Sequence, residues 1–168
     1  MTSYVALLRA VNVGGTGKLP MSELRRIGEA CGFAKVRSFI ASGNLLFDSD
    51  DSEAEVTRSV EQRVERFFGR HVPVFVRNGT EMAAVVAANA FADRPGNRVV
   101  AYFMAKASVQ AQIDAVTGDE DEQLALGKRE LYIAYGERMG ESKLRLPADA
   151  VGTARNMNSV AKIAAMLA

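Results

Sequence analysis

One order of signals occurs twice along the chain: a short apolar strand, a helix with one apolar stripe, then a hairpin. In the first occurrence residues 4–8 (YVALL) are apolar throughout, too short a run for a helix and followed by loop chemistry, so they read as a buried strand. Pro20 suits the first turn of a helix, whose stripe is Met21, Leu24, Ile27 and Cys31 and whose stop is Gly32. Residues 36–40 alternate and residues 45–47 are apolar, with Ser42-Gly43-Asn44 between them, which is a hairpin pattern. Ser52 can cap a helix in which Val56, Val60, Val64 and Phe67 recur at four, four and three residues, and all four are expected to be buried. Residues 72–76 then alternate as a strand, Pro73 marking a strand start or an edge position. The order is β-α-β-β-α-β, the split βαβ arrangement of ferredoxin-like folds.

The second occurrence begins after a short helix that Thr80 caps and that runs to Asn89. A turn-rich connection at residues 92–97 leads into a strand over residues 98–104, and Ser108 caps a helix carrying Val109, Ile113 and Val116. Residues 124–126 and 130–135 flank Gly127-Lys128 as a second hairpin, and residues 156–167 form the second helix of this half, with Val160, Ile163, Ala164 and Leu167 on one face. The pattern recurs, though not the residue identities. The expected fold is therefore α/β of the α+β kind: two tandem ferredoxin-like α/β-plait halves with mostly antiparallel sheets, residues 1–78 and 79–168. The connection near residues 77–80 is too short to separate them as beads, so the halves are expected to pack together.

Composition supports a packed core and narrows the partners. Of 168 residues, 48% are hydrophobic and 24% charged, which argues against disorder. Twenty-one Lys and Arg against 20 Asp and Glu leave a net charge of +1, so no global field draws the chain to nucleic acid or anionic lipid. A lone cysteine excludes an internal disulfide, and a lone histidine excludes a zinc site needing several imidazole or thiolate ligands from this chain. Cys31 reads as a small buried apolar side chain, and His71 opens a strand with no second ligand at a useful spacing. The acidic stretch at residues 119–122 lacks the glycine and the spacing of a calcium loop and reads as solvated. No signal peptide is visible and no apolar run approaches the ~20 residues of a membrane helix, so a cytoplasmic location is expected.

The sharpest chemical lead is Asn12-Val13-Gly14-Gly15-Thr16-Gly17-Lys18, set between a strand and a helix, where backbone amides and a helix N-terminus can converge on an anion. Against the nucleotide-binding pattern GxxxxGK[ST], the pair Gly17-Lys18 fits, but Asn12 replaces the first glycine and Leu19 replaces the hydroxyl residue that holds magnesium. Nucleotide hydrolysis is therefore disfavoured. A second polar group comprises residues 140–144 and 153–159; Thr153, Asn156 and Asn158 are competent helix caps, and Arg155 with Asn156 suits an oxyanion in a helix-entry turn. The candidate ligand-binding residues are Arg9, Asn12, Gly14, Gly15, Lys18, Arg155 and Asn156, with a phosphorylated or otherwise anionic small molecule as the expected partner and no cofactor implied. No nucleophile is accompanied by a base, so no catalytic residue is assigned. Two other classes stand beside this reading. RNA binding on a plait sheet lacks the basic, glycine and aromatic pattern it requires, and a protein-interaction module would use residues 72–76 as an edge strand.

Several spaced strings carry a family resemblance: residues 4–15 (YVALLRAVNVGG), Leu19-Pro20-Met21, Ser42-Gly43-Asn44, Ser142-Lys143-Leu144 and residues 153–159 (TARNMNS). Together they resemble an uncharacterised bacterial family, the domain of unknown function numbered 1697, in order from Tyr4 into the last helix. The resemblance implies a cytoplasmic bacterial protein with two α/β-plait halves. It implies no activity and transfers no catalytic residue. Residues other than Thr16 and Gly17 often occupy those positions in the family, and an aromatic residue is common where this chain has Met157.

Overall fold

A computed structural model describes residues 1–13 and 17–168. Among the described residues the chain forms eight strands and five α-helices, with two four-stranded sheets and two compact units. The first unit is Met1–Glu81 with Ala165–Ala168, and the second is Met82–Ala164.

The first unit runs β1 (Thr2–Leu8), α1 (Met21–Ala30), β2 (Ala34–Phe39), β3 (Asn44–Ser49), α2 (Glu53–Phe68) and β4 (Val74–Asn78). Its strands lie in the order β2-β3-β1-β4, every neighbouring pair antiparallel, an order compatible with the ferredoxin-like plait. Tyr4, Ala6, Leu8, Leu45, Phe47, Val74 and Val76 project from one face and pack with Leu24 and Ile27 of α1 and Val56, Val60 and Val64 of α2. Val5, Leu7, Leu46, Phe75 and Arg77 alternate with them and are buried as well. Burial on both faces is why residues 4–8 read as an unbroken apolar run instead of an alternating one.

Local chemistry sets the ends of α2. Ser52 and Glu55 form a reciprocal capping box, and Gly69 closes the helix in the left-handed region at φ 71°. Val56, Val60 and Val64 are fully buried as expected, but Phe67 is 42% exposed, and Phe68 packs on the core in its place. The buried line follows the i, i+4 row, which inclines across the helix surface, so by the last turn it passes through Phe68 and leaves Phe67 outside.

The second unit contains β5 (Val99–Met104), α4 (Gln110–Asp114), β6 (Gln123–Leu126), β7 (Glu130–Ala134) and β8 (Gly152–Asn156) in the order β6-β7-β5-β8, again antiparallel throughout. This is the order of the first sheet. Two elements depart from the sequence expectation. Between β7 and β8 the chain makes a short 3-10 turn (Met139–Glu141) where the first unit has α2, and β8 precedes the last helix, α5 (Met157–Leu167), instead of the hairpin leading straight into it. Tyr102 donates its hydroxyl to the carbonyl of Ala150 at 2.6 Å, and Met104, Leu131 and Ala150 form a small cluster with Ile113 and Leu146.

The edge strands β4 and β8 both end in Arg-Asn. Arg77 and Arg155 are buried, each donating from Nη1 to the preceding carbonyl at 3.0 Å, from β4 and β8 respectively. Asn78 accepts the N–H of Glu81 at 2.8 Å and so caps α3 (Gly79–Ala87), the role expected of Thr80. Asn156 accepts the N–H of Ser159 at 2.9 Å and caps α5 in the same way. Ser108 likewise does not cap α4: its hydroxyl donates to the carbonyl of Gly127 at 2.7 Å, while Gln112 Oε1 accepts the N–H of Val109. No helix among the described residues is long and apolar enough to cross a membrane.

Candidate anion-binding site

The loop after β1 is held at both ends by side chains sunk in the first unit's core, Val11 and Leu19, each 1% exposed. Between them Asn12 acts as a brace. It has φ 58°, a left-handed conformation that asparagine tolerates better than most residues. Its Oδ1 accepts the N–H of Leu19 at 2.7 Å, and both hydrogens on Nδ2 go to carbonyls, of Leu19 at 2.9 Å and Ala41 at 2.8 Å. Its own N–H donates to the carbonyl of Gly17 at 3.0 Å. Asn12 thus ties the loop to the turn between β2 and β3 and has no amide hydrogen left for a ligand.

Leu8 N–H donates to the carbonyl of Gly43, and Arg9 N–H to that of Pro73, so the strand ends, the β2–β3 turn and the entry to β4 meet at one end of the sheet. Gly43 is required there: at φ 90°, a Cβ would sit 2.6 Å from Cγ2 of Val11. The side chain of Arg9 and that of Lys18 are exposed and, among the described residues, neither forms an ion pair. The exit of α2 joins the same end. A Cβ placed on Gly17 would lie 2.9 Å from Cε1 of Phe68 and 3.9 Å from Nη2 of Arg70. Gly14, Gly15 and Thr16 lie outside the described residues.

The departures from the nucleotide-hydrolase pattern now have physical form. Leu19 is a core residue and cannot present a magnesium ligand, and Asn12 is committed to the loop's own backbone. Pro20 opens α1 with no side-chain cap, which leaves the first-turn amides of that helix to solvent or a ligand. Glu23 in that turn pairs with Arg26 at 2.8 Å.

Arg155 and Asn156 belong to the second unit and end strand β8; Asn156 caps α5 as expected, whereas Arg155 lies on the strand instead of in a helix-entry turn. Arg155 also donates to Thr153 Oγ1 at 2.8 Å; burial pushes its pKa down to about 10, which leaves it charged at neutral pH. Of the other residues of that sequence cluster, Glu141, Ser142 and Lys143 line a cleft of about 540 Å³ with Glu120, Asp121, Glu122 and Arg138. Ser142 donates to Glu122 there and holds its carboxyl below the usual range, and Arg138 pairs with Glu141 at 2.8 Å. With four carboxylates to two cations, this cleft is not suited to an anion.

Cys31 is half-buried, and burial raises its thiol pKa, opposed by the nearby Arg63. His71 is exposed with Nδ1 3.8 Å from Glu61. Among the described residues no group of three or more His, Cys, Asp or Glu is placed to hold a metal ion. The structure adds Phe67, Phe68 and Arg70 to the residues of interest; the signal in the sequence was the run Phe67-Phe68-Gly69-Arg70-His71.

The chain is similar over 99% of its length, and over 98% of the other, to the solved structure of a conserved bacterial protein, SP0830 from Streptococcus pneumoniae, with 27% identity and a TM-score of 0.81. A comparison with curated proteins gives no match. The model of a family described as "Protein of unknown function (DUF1697)" matches residues 1–132, and the chain belongs to that family.

Proposed function

We propose that the protein binds a phosphorylated or otherwise anionic small molecule at the loop between β1 and α1, in a cytoplasmic setting. One observation carries the reading. The described segments that meet at this end of the first sheet, residues 9–13, 17–20, 40–43 and 68–73, hold Arg9, Lys18, Arg70 and His71 and not one Asp or Glu, with Glu61 of α2 beside His71, in a chain otherwise balanced in charge. The exposed Arg9 and Lys18, beside first-turn amides of α1 that no side chain caps, favour an anion through charge-assisted hydrogen bonds. Arg9 and Lys18 are the proposed contacts, with the backbone of Gly14 and Gly15 as neighbours in sequence. Asn12, Arg155 and Asn156 are assigned to the framework, because both side-chain polar atoms of Asn12, Nη1 of the buried Arg155 and Oδ1 of Asn156 already bond to backbone or to Thr153.

The test is thermal unfolding with phosphate against chloride at matched ionic strength. At phosphate ~100 times its dissociation constant, linkage gives about 2.7 kcal/mol, or roughly 5–10 °C in a chain of this size. The double variant Arg9→Ala/Lys18→Ala should lose most of that shift while melting near the parent without phosphate. A parent that responds no more to phosphate than to chloride would end the proposal.

A further inference from the structure

We infer that the ligand of this loop carries an aromatic base beside its phosphate, a nucleotide unit, and that the base stacks on Phe67; the inference rests on the anion-binding reading above. Phe67 is a large apolar side chain 42% exposed on the last turn of α2. A ring turned to water at that position forgoes burial that its neighbour Phe68 achieves. It is also not isolated. The ring of Phe68 stands edge-on to it with centroids 5.0 Å apart, and the guanidinium of Arg70 lies 5.0 Å from the Phe68 ring. Phe68 in turn closes against Gly17, the neighbour of Lys18. A part-exposed ring therefore adjoins a cation-backed ring that packs against the loop beside Lys18.

That pairing of a sequence-tolerant stacking surface with adjacent positive charge is how proteins hold a base and its phosphate without reading base edges. The second unit shows the contrast: Arg94 also lies over an aromatic ring, 5.3 Å from that of Phe91, but Phe91 is 9% exposed and offers no open face. The C-terminal dipole of α2 opposes an anion here, and so do Glu61 and Glu65 one to two turns back. Arg66 in the last turn of α2 and Arg70 just past its end work the other way. Binding of this kind needs no magnesium ligand at Leu19 and implies no hydrolysis.

Calorimetric titration of the full chain with inorganic phosphate, ribose 5-phosphate, adenosine monophosphate and a single-stranded oligonucleotide of about 10 residues tests it. The base should tighten binding relative to ribose 5-phosphate, and Phe67→Leu, which keeps an apolar side chain without a ring, should weaken nucleotide binding about 5- to 150-fold with phosphate binding unchanged. A further gain with the oligonucleotide, falling steeply with salt, would identify a strand as the source; equal affinity would identify the free nucleotide. If nucleotide and ribose 5-phosphate bind alike and Phe67→Leu alters neither, the stacking inference is overturned while the anion reading stands. If no phosphate compound binds, both fall.

Discussion

Asn12 is the residue whose removal should tell most about the loop, because three side-chain hydrogen bonds and an unusual backbone conformation meet there. Asn12→Ala deletes the bonds to both backbone groups of Leu19, each part-buried and worth about 1 kcal/mol, and the more exposed bond to Ala41, worth about 0.5 kcal/mol. Alanine at φ 58° adds about 1 kcal/mol of conformational cost that asparagine largely avoids. The sum is roughly 3.5 kcal/mol, or about 7–14 °C in melting temperature for a chain of this size. Asn12→Gly loses the same bonds without the conformational cost and should recover roughly 1 kcal/mol relative to alanine. Asn12→Asp keeps an acceptor for Leu19 N–H but turns a carboxylate toward two carbonyl oxygens, so it should be at least as damaging as alanine. The assay is chemical denaturation of the three variants with the parent. An Asn12→Ala protein within about 0.5 kcal/mol of the parent, below the typical worth of even one such bond, would refute the brace.

The remaining predictions concern the frame. Val60→Asp places an unpaired charge in the first unit's core, where Val60 is fully buried, and should cost several kcal/mol by denaturation; a melting temperature within a degree or two of the parent would contradict the assignment of that helix face. Asn78→Ala and Asn156→Ala remove equivalent helix caps and should each cost about 1 kcal/mol, with additive effects in the double variant; loss at only one site would show that the two junctions are not alike. Tyr132 donates to the carbonyl of Val85 at 2.7 Å, and burial, aided by the charge of Glu130, pushes its pKa up to about 12. Between its ordinary value near 10 and about 12 the unfolded chain loses that proton while the folded chain keeps it, so stability should fall as pH rises through this window. Tyr132→Phe should fall less steeply there, as read from denaturation midpoints, and an unchanged slope would remove Tyr132 from the explanation.

How far the fold was legible depended on whether local pattern and burial agreed. Helix α2 was readable because Val56, Val60 and Val64 repeat on one row and Ser52 begins a capping box, so periodicity and cap chemistry point the same way. Strand β8 was not, because its buried residues include Thr153 and Arg155, which a hydrophobic pattern scores as surface, and because Asn156 is equally at home as a strand end and a helix cap. The caps at Thr80 and Ser108 were misplaced for a related reason. Several polar residues compete near each helix start, and the winner is set by where the preceding strand stops.

At the candidate site, Arg9 and Lys18 are exposed as a surface loop requires, whereas Asn12 resembled a ligand because polar type does not reveal that both amide hydrogens are taken by carbonyls, one of them 29 residues away. The charge imbalance at that end was invisible in the net charge of +1, since it arises only when antiparallel pairing brings three separate segments together.

The most direct test of anion binding at this loop is a backbone amide chemical-shift titration of the ¹⁵N-labelled protein with inorganic phosphate. Saturable shifts should concentrate in residues 9–19 and 40–43 and shrink in the Arg9→Ala/Lys18→Ala variant, while β8 and the cleft around Glu122 stay unperturbed. Saturable shifts centred on the second unit, or none above those produced by chloride, would contradict the account.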